Sequence, residues 1–178
     1  IIFKSINKLN KEVNFKADIG FVPTMGALHQ GHVSLIEKSQ KKCKKTLVSI
    51  FVNPAQFNNK KDYRKYPKNI QKDLQLLKNL KVDYVLIPTV KDVYGNKNKK
   101  KIKISKSNKI LCAKHRPGHF EGVLGVIDQF IKKLEINKIF LGEKDYQQYI
   151  LIRDFLKKKK NVKAILCKKI RIKNGLTY

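Results

Sequence analysis

Apolar residues along the chain fall into two kinds of pattern. Short, nearly uninterrupted apolar runs are typical of strands buried on both faces, as in a parallel sheet. We predict such strands at 19–22, 46–52, 82–88, 138–141 and 162–167. Stretches with helical periodicity separate these runs, which is typical of βαβ units. The sequence therefore predicts an α/β protein with a parallel sheet and helices on both faces.

The intervals between the strands carry apolar residues three or four positions apart. In the interval before the predicted strand 82–88, these apolar residues begin directly after Asn69, a typical N-cap residue. The predicted helices are 31–42, 69–80, 118–134 and 145–159, with a short helix within residues 1–16 that includes Ile2. Residues 91–98 are predicted to form a loop. Lysine alternates with isoleucine over 101–105, which predicts an exposed edge strand or hairpin.

The segment Pro23-Thr24-Met25-Gly26-Ala27-Leu28-His29-Gln30-Gly31-His32 joins the first predicted strand to a helix. Its two histidines lie at the helix N-terminus, where free backbone N–H groups and the helix dipole favour an anion. Gly26 allows a tight turn, and Gly31 has no Cβ that would hinder a ligand. We predict a phosphate site here; the alternative is that both histidines are ordinary surface or core residues.

His29-Gln30-Gly31-His32 resembles the His-x-Gly-His signature of the nucleotidyltransferase superfamily, which includes class I aminoacyl-tRNA synthetases and cytidylyltransferases. Further motifs follow in order at 48–57, 116–123 and 142–148. Together with 23–29 they resemble the pantothenate synthetase family over nearly the whole chain. The resemblance implies a Rossmann-like fold of the nucleotidyltransferase type.

The resemblance also implies a reaction. The pantoate carboxylate attacks the α-phosphate of ATP, and the amine of β-alanine then attacks the acyl-adenylate, so that pantothenate, AMP and pyrophosphate are formed. Such an enzyme works mainly by positioning its substrates and neutralising charge. Mg²⁺ is expected to be held mainly by phosphates and water. The family further implies a cytoplasmic homodimer in the coenzyme A pathway.

For the nucleotide, the resemblance implies that His29, His32 and Lys144 are the catalytic residues that bind the triphosphate. Lys144 precedes a predicted helix, where a cation adds to the positive end of the dipole. Asp145 is placed near the ribose, since a carboxylate accepts hydrogen bonds from hydroxyl groups. The implied ATP-binding residues are Met25, His29, His32, Gly142, Lys144, Asp145 and Ile170.

For the acid and the amine, Gln56 and Gln148 offer amides that suit the hydroxyls and carboxylate of pantoate. Arg116 suits planar carboxylate recognition. His119 is either a general base for the incoming amine or a residue held by a structural hydrogen bond. The implied substrate-binding residues are Pro23, Met25, Asn53, Gln56, Arg116, His119, Val123 and Gln148, and Asp73 is the implied Mg²⁺ contact.

Charge changes this picture little. The 178 residues carry a formal net charge of +28, which ordinarily indicates a nucleic acid or an anionic surface as partner. The lysine clusters lie at the ends of predicted elements without interleaved aromatic residues, so we interpret them as solvated faces and predict no specific nucleic acid. A cytidylyltransferase-like enzyme and a basic RNA-binding module remain the alternatives.

Length and cysteine content bound the organisation of the chain. The 178 residues are predicted to form one ATP- and pantoate-binding domain. The family's Ser-Ser-Arg-Asn segment and C-terminal domain are not among them, so we expect a fragment that binds ATP but is nearly inactive. Cys43, Cys112 and Cys167 form no Cys-x-x-Cys pair and indicate reduced thiols. No apolar run reaches the ~20 residues that span a membrane.

Overall fold

A computed structural model describes residues 1–95, 102–105, 108–159, 162–172 and 175–177. Its sheet has six strands, all paired in parallel, in the order β1-β4-β3-β2-β5-β6. The strands are β1 Ile2–Phe3, β2 Ile19–Thr24, β3 Lys45–Ile50, β4 Tyr84–Leu86, β5 Lys138–Gly142 and β6 Lys163–Cys167. The parallel sheet and its five predicted strands are confirmed.

The order of the strands reverses between β2 and β5. From β2 the chain moves outward to β3 and β4, and it later returns to β5 on the other side of β2. In open α/β sheets ligands bind in the crevice at the carboxyl ends of the strands, beside such a switch point. The turn after β2 and the turn after β5 are therefore the expected walls of a binding site.

Helices cover both faces of the sheet, as predicted. They are α1 Ile6–Glu12, α2 Gln30–Lys42, α3 Lys60–Lys65, α4 Ile70–Asn79, α5 Val90–Tyr94, α6 Cys112–His115, α7 His119–Lys133 and α8 Tyr146–Lys157. One core joins the sheet to α1, α7 and α8, and a second joins it to α2 and α4. Asn69 caps α4 as predicted, since its side chain accepts a hydrogen bond from the Lys72 N–H. None of the helices in the described ranges is long and apolar enough to cross a membrane.

Two predictions about the start and the middle of the chain are wrong. Ile2 belongs to a strand rather than a helix, because β1 pairs with β4 and a two-residue strand leaves no periodicity to detect. Val90–Tyr94 form α5 where a loop was predicted, and a reciprocal Thr89–Asp92 capping box begins this helix. Gly95 follows as the C-cap of α5, and the rest of that predicted loop, 96–98, lies outside the described residues. The short helices α3 and α6 were not predicted at all.

The predicted edge strand at 101–105 is also wrong over its described part. Residues 102–105 pair with no strand. Ile102 and Ile104 pack against the core, and the Ile102 N–H donates to the Glu121 carbonyl oxygen of α7 at 3.3 Å. The alternation is therefore real, but it packs the segment against a helix. Lys101 lies outside the described residues.

Helix α7 approaches the chain after β3 unusually closely. A Cβ at Gly122 would lie 2.2 Å from the Ala55 carbonyl oxygen, so only glycine permits this contact without a shift of the backbone. Pro54–Gln56 form a single 3₁₀ turn at this point. This packing fixes the position of Gln56 relative to the N-terminus of α7.

Candidate active site

A cavity of about 310 Å³ opens at the carboxyl ends of β2 and β3, between the sheet and α7. Its inner wall includes the buried side chains of Val126, Ile127 and Phe130, whereas Arg116 and Asp145 are exposed at its rim. The predicted substrate-binding residues that line it are Pro23, Met25, Gln56, Arg116, His119, Val123 and Gln148. The fold thus brings together residues from four separate motifs.

A second cavity, of about 140 Å³, lies at the carboxyl ends of β5 and β6. The predicted ATP-binding residues that line it are His29, His32, Gly142, Lys144, Asp145 and Ile170. Met25, which was also assigned to ATP, lines the larger cavity and not this one. The side chains of His29, His32 and Gln148 line both cavities, so the two spaces meet at the histidines.

The two histidines form a reciprocal cap at the N-terminus of α2. His29 Nδ1 accepts a hydrogen bond from the Gly31 N–H at 3.1 Å, and His32 Nδ1 accepts one from the His29 N–H at 3.3 Å. The ring centroids lie 4.1 Å apart. Because a backbone N–H can only donate, both Nδ1 atoms must be unprotonated, and each neutral ring carries its proton on Nε2.

Electrostatics favours these neutral rings. Burial, followed by the effects of His29 and Lys144, lowers the pKa of His32 from its ordinary 6.5 to about 4. Burial and then Lys144 also lower the pKa of His29, while Asp145 acts in the opposite direction. At neutral pH the pair therefore offers N–H donors without needing to be charged.

The preceding turn is held by side-chain acceptors. Thr24 Oγ1 accepts from the Gly26 N–H at 3.2 Å, and the two carboxylate oxygens of Asp73 accept from the N–H groups of Ala27 and Leu28 at 3.0 and 2.8 Å. Gly26 has φ +80°, and a Cβ there would lie 2.9 Å from Asp73 Oδ2. The expected cradle of free backbone N–H groups is thus largely occupied by protein acceptors, so imidazole N–H groups become the donors for an anion.

This arrangement leaves Asp73 poorly suited to the metal contact predicted for it. The residue is only 3% exposed, and each of its carboxylate oxygens already accepts a backbone hydrogen bond. Within the described ranges, no group of three or more His, Cys, Asp or Glu side chains is placed to hold a metal ion. The structure accordingly gives Asp73 the task of holding the turn between β2 and α2.

Asn53 was predicted to face the cavity, but it is not among the residues that line it. Its side chain is fully buried, donates to the Gly122 carbonyl oxygen at 3.2 Å, and accepts from the Ala55 N–H at 3.1 Å and the Tyr94 hydroxyl at 2.8 Å. Burial raises the pKa of Tyr94 to about 12, so this hydroxyl remains a donor. Asn53 therefore joins α5, α7 and the turn that carries Gln56.

His119 has the opposite tautomer to the other two site histidines. Its Nδ1 lies 2.9 Å from the Gln56 carbonyl oxygen, which can only accept, so Nδ1 carries the proton and Nε2 keeps its lone pair. Burial lowers the pKa of His119, although the bond to Gln56 acts to raise it. The side chain is thus both anchored and able to accept a proton through Nε2.

Several residues that line the two cavities were not predicted from the sequence. Thr24, Ser49 and Tyr66 line the larger cavity, and Lys168 and Lys169 line the smaller one. Ser49 had a usable signal, because it is a polar residue inside the apolar run of β3. No sequence pattern indicated Tyr66, because α3, the helix that precedes it, was itself not predicted.

In sequence, this chain is similar to known proteins. A family model described as Pantoate-beta-alanine ligase matches residues 1–178. The pantothenate synthetase of Francisella tularensis subsp. novicida (strain U112) is 44% identical over 176 residues, which are 97% of this chain and 67% of that protein. The protein of the same name from subsp. mediasiatica (strain FSC147) is 45% identical over the same shares. The chain thus spans about two thirds of these relatives.

Solved structures agree with this result. The crystal structure of pantoate-beta-alanine ligase from Francisella tularensis, complexed with beta-gamma ATP and beta-alanine, is 43% identical, with a TM-score of 0.94, over 100% of this chain and 70% of that one. Pantothenate synthetase from Thermus thermophilus is 30% identical, with a TM-score of 0.93, over 99% of this chain and 64% of that one. The predicted Rossmann-like, nucleotidyltransferase-type fold is confirmed.

The role given to Asp73 predicts a loss of stability in Asp73→Asn. An amide has only one oxygen, and its NH₂ group would face a backbone N–H, so we expect the free energy of unfolding in urea to fall by about 1–3 kcal/mol. The measurement is made in EDTA, with exposed Asp62→Asn as the matched control. A metal ligand without a structural task would leave stability unchanged in EDTA, and that result would contradict our assignment.

The lowered pKa of His32 predicts a pH dependence of stability. Because the folded chain favours the neutral ring, the stabilisation is complete above pH 6.5 and is lost as the pH falls from 6.5 towards 4. We expect His32→Gln, which retains an acceptor for the cap, to flatten the dependence of unfolding free energy on pH in this window. His115→Gln, at an exposed position, is the control. Equal slopes in His32→Gln and the unaltered chain would refute the prediction.

Proposed function

The chain belongs to the pantoate-β-alanine ligase family, and on this premise we propose that it joins pantoate to β-alanine with ATP, through a pantoyl-adenylate and with release of AMP and pyrophosphate. The predicted family and the prediction of a ligase of pantothenate biosynthesis are confirmed. One observation carries the finer mechanism: the two cavities meet at His29 and His32. An acid in the larger cavity would there meet the α-phosphate of a nucleotide in the smaller one.

The smaller cavity supports ATP as one substrate. Lys144 provides a cation beside the histidines, and its positive charge contributes to lowering the pKa of both rings. Asp145 stands at the same wall as a carboxylate acceptor for ribose hydroxyls, and Gly142 and Ile170 complete the apolar side. The Francisella enzyme was crystallised with an ATP ligand and β-alanine, which supports the same two substrates here. Mg²⁺ remains a prediction, and we assign it no protein ligand.

The first chemical step needs charge stabilisation rather than a covalent enzyme intermediate. When the carboxylate attacks, negative charge grows on the phosphate oxygens and on the departing pyrophosphate. His29 and His32 present Nε2–H groups whose orientation the cap fixes in advance, so little reorganisation is needed during the reaction. Lys144 adds a positive charge on the same side.

The larger cavity supports a branched hydroxy acid. Gln56 and Gln148 provide amides that can both donate to a carboxylate and accept from a hydroxyl. Pro23, Met25 and Val123 form an apolar wall suited to the dimethyl carbon of pantoate. Since Gln148 lines both cavities, we place the pantoate carboxylate and its neighbouring hydroxyl beside it, next to the phosphate site.

The second step needs a proton acceptor, because β-alanine enters as an ammonium ion and attacks as a free amine. The tautomer of His119 leaves Nε2 unprotonated in the cavity wall, so we propose His119 as the general base. Arg116 is exposed at the rim, where it can bind the β-alanine carboxylate bidentately. β-Alanine releases one proton to solvent to form the free amine, and the second proton passes from the attacking nitrogen to His119 Nε2 as the acyl bond to AMP breaks.

The alternatives make different predictions for ligand binding. A cytidylyltransferase would prefer CTP, and an RNA-binding module would be stabilised by short RNA at physiological salt. We expect ATP to raise the melting temperature more than either CTP or short RNA does.

The homodimer implied by the family is a separate prediction, which light scattering would measure.

The charge-stabilising role of the two histidines is tested by pyrophosphate–ATP exchange in the presence of pantoate, measured in the full-length protein that includes the family's Ser-Ser-Arg-Asn segment. We expect His29→Ala and His32→Ala each to lower the exchange rate about 10²-fold, the scale of losing one preorganised donor. His115→Ala is the matched control, and circular dichroism verifies folding. A double variant that exchanges at a near-normal rate would exclude the assignment.

The base role of His119 predicts a separation of the two half-reactions. In His119→Asn the amide can still donate to the Gln56 carbonyl oxygen, so adenylate formation should stay within a few-fold of normal. Transfer to β-alanine should fall by about 10²-fold or more near neutral pH and recover partly at higher pH, where more free amine is present. Equal losses in both half-reactions would instead indicate a structural role.

A further inference from the structure

Ser49 carries a buried hydroxyl whose hydrogen bonding is incomplete. The residue is 0% exposed, and within the part of the chain that the structure describes its Oγ has no hydrogen-bond partner. A buried polar group without a partner costs free energy, so its presence in a core strand needs an explanation. Ser49 is one of the residues that line the larger cavity, and a ligand there would provide a partner.

The neighbouring buried hydroxyls are all paired. Thr24 Oγ1 donates to the Ser49 carbonyl oxygen at 2.7 Å and accepts from the Gly26 N–H. Ser39 Oγ and Thr46 Oγ1 lie 2.8 Å apart and bond to each other. Pairing within the protein is thus the rule around Ser49, and Ser49 departs from it where its strand borders the cavity.

The order of the strands places Ser49 on the side of the cavity away from the nucleotide. The smaller cavity lies over β5 and β6, and the junction lies over β2, where Pro23 lines both spaces. Ser49 is the register partner of Pro23 on β3, one strand further out, and it lines only the larger cavity. The same cavity is also lined by buried apolar side chains of α7, such as Ile127 and Phe130.

We propose that Ser49 is a further specificity residue, whose hydroxyl binds the terminal hydroxyl of pantoate. The proposal rests on the function proposed above. If the carboxylate lies at the phosphate junction, the terminal hydroxyl is the polar group of pantoate farthest from that junction, beyond the dimethyl carbon. In this orientation it lies on the side of the cavity away from the junction, where Ser49 of β3 provides a hydroxyl in addition to the amide of Gln56. A serine hydroxyl can both donate to it and accept from it.

The test compares Ser49→Ala with the unaltered chain, using two acids. These are pantoate and 2-hydroxy-3,3-dimethylbutanoate, which lacks only the terminal hydroxyl, and both affinities are measured by titration in the presence of ATP. We expect the substitution to weaken pantoate binding by about 3- to 10-fold, the range of one neutral hydrogen bond, and to change binding of the analogue less than twofold. The same substitution should leave ATP affinity unchanged and should not lower the melting temperature, because it removes a buried hydroxyl that has no partner among the described residues.

Ser39→Ala is the matched control, because it removes an equally buried but paired hydroxyl remote from the cavity. It should lower the melting temperature without changing the selectivity between the two acids. If Ser49→Ala weakens both acids equally, or weakens neither, the assignment of Ser49 is overturned while the proposed function stands. If the unaltered chain binds ATP but neither acid, the proposed function itself fails.

Discussion

The candidate site depends on how the turn between β2 and α2 satisfies its backbone N–H groups. In many phosphate sites such groups point at the ligand. Here Thr24 and Asp73 accept those of Gly26, Ala27 and Leu28, and the imidazoles accept those of His29 and Gly31. The turn is therefore rigid before any ligand binds, and its donors are imidazole N–H groups at the junction of two cavities. Every role proposed for the site assumes that geometry.

The same hydrogen-bond logic assigns protons to the three histidines of the site. Where the partner of Nδ1 is a donor, as for His29 and His32, the proton must be on Nε2 and the ring presents a donor. Where the partner is a carbonyl oxygen, as for His119, the ring presents an acceptor. Burial lowers the pKa of all three rings and so favours their neutral form, which lets one residue type serve both of the proposed roles, anion binding and proton abstraction.

Much of the fold was predictable because its signals are local. Buried parallel strands are nearly all apolar, and amphipathic helices repeat every three or four residues, so the five longer strands and the main helices follow from neighbouring residues alone. The motifs were local as well, and most of the residues they indicated do line the two cavities. What failed was short or ambiguous: a two-residue strand, three short helices, and an alternating segment that packs on a helix.

The sequence by itself determined the fold class and the chemical groups available to the site, because both follow from residue type and spacing. Only the tertiary structure decided which of these groups face a ligand. Asn53 and Gln56 carry the same amide, yet Gln56 lines the cavity while Asn53 is occupied by Gly122 and Tyr94, 69 and 41 residues away. Asp73 likewise holds the N–H of Ala27, 46 residues away. Partners so distant in the chain leave no local pattern, since they become neighbours only when the sheet and its helices pack together.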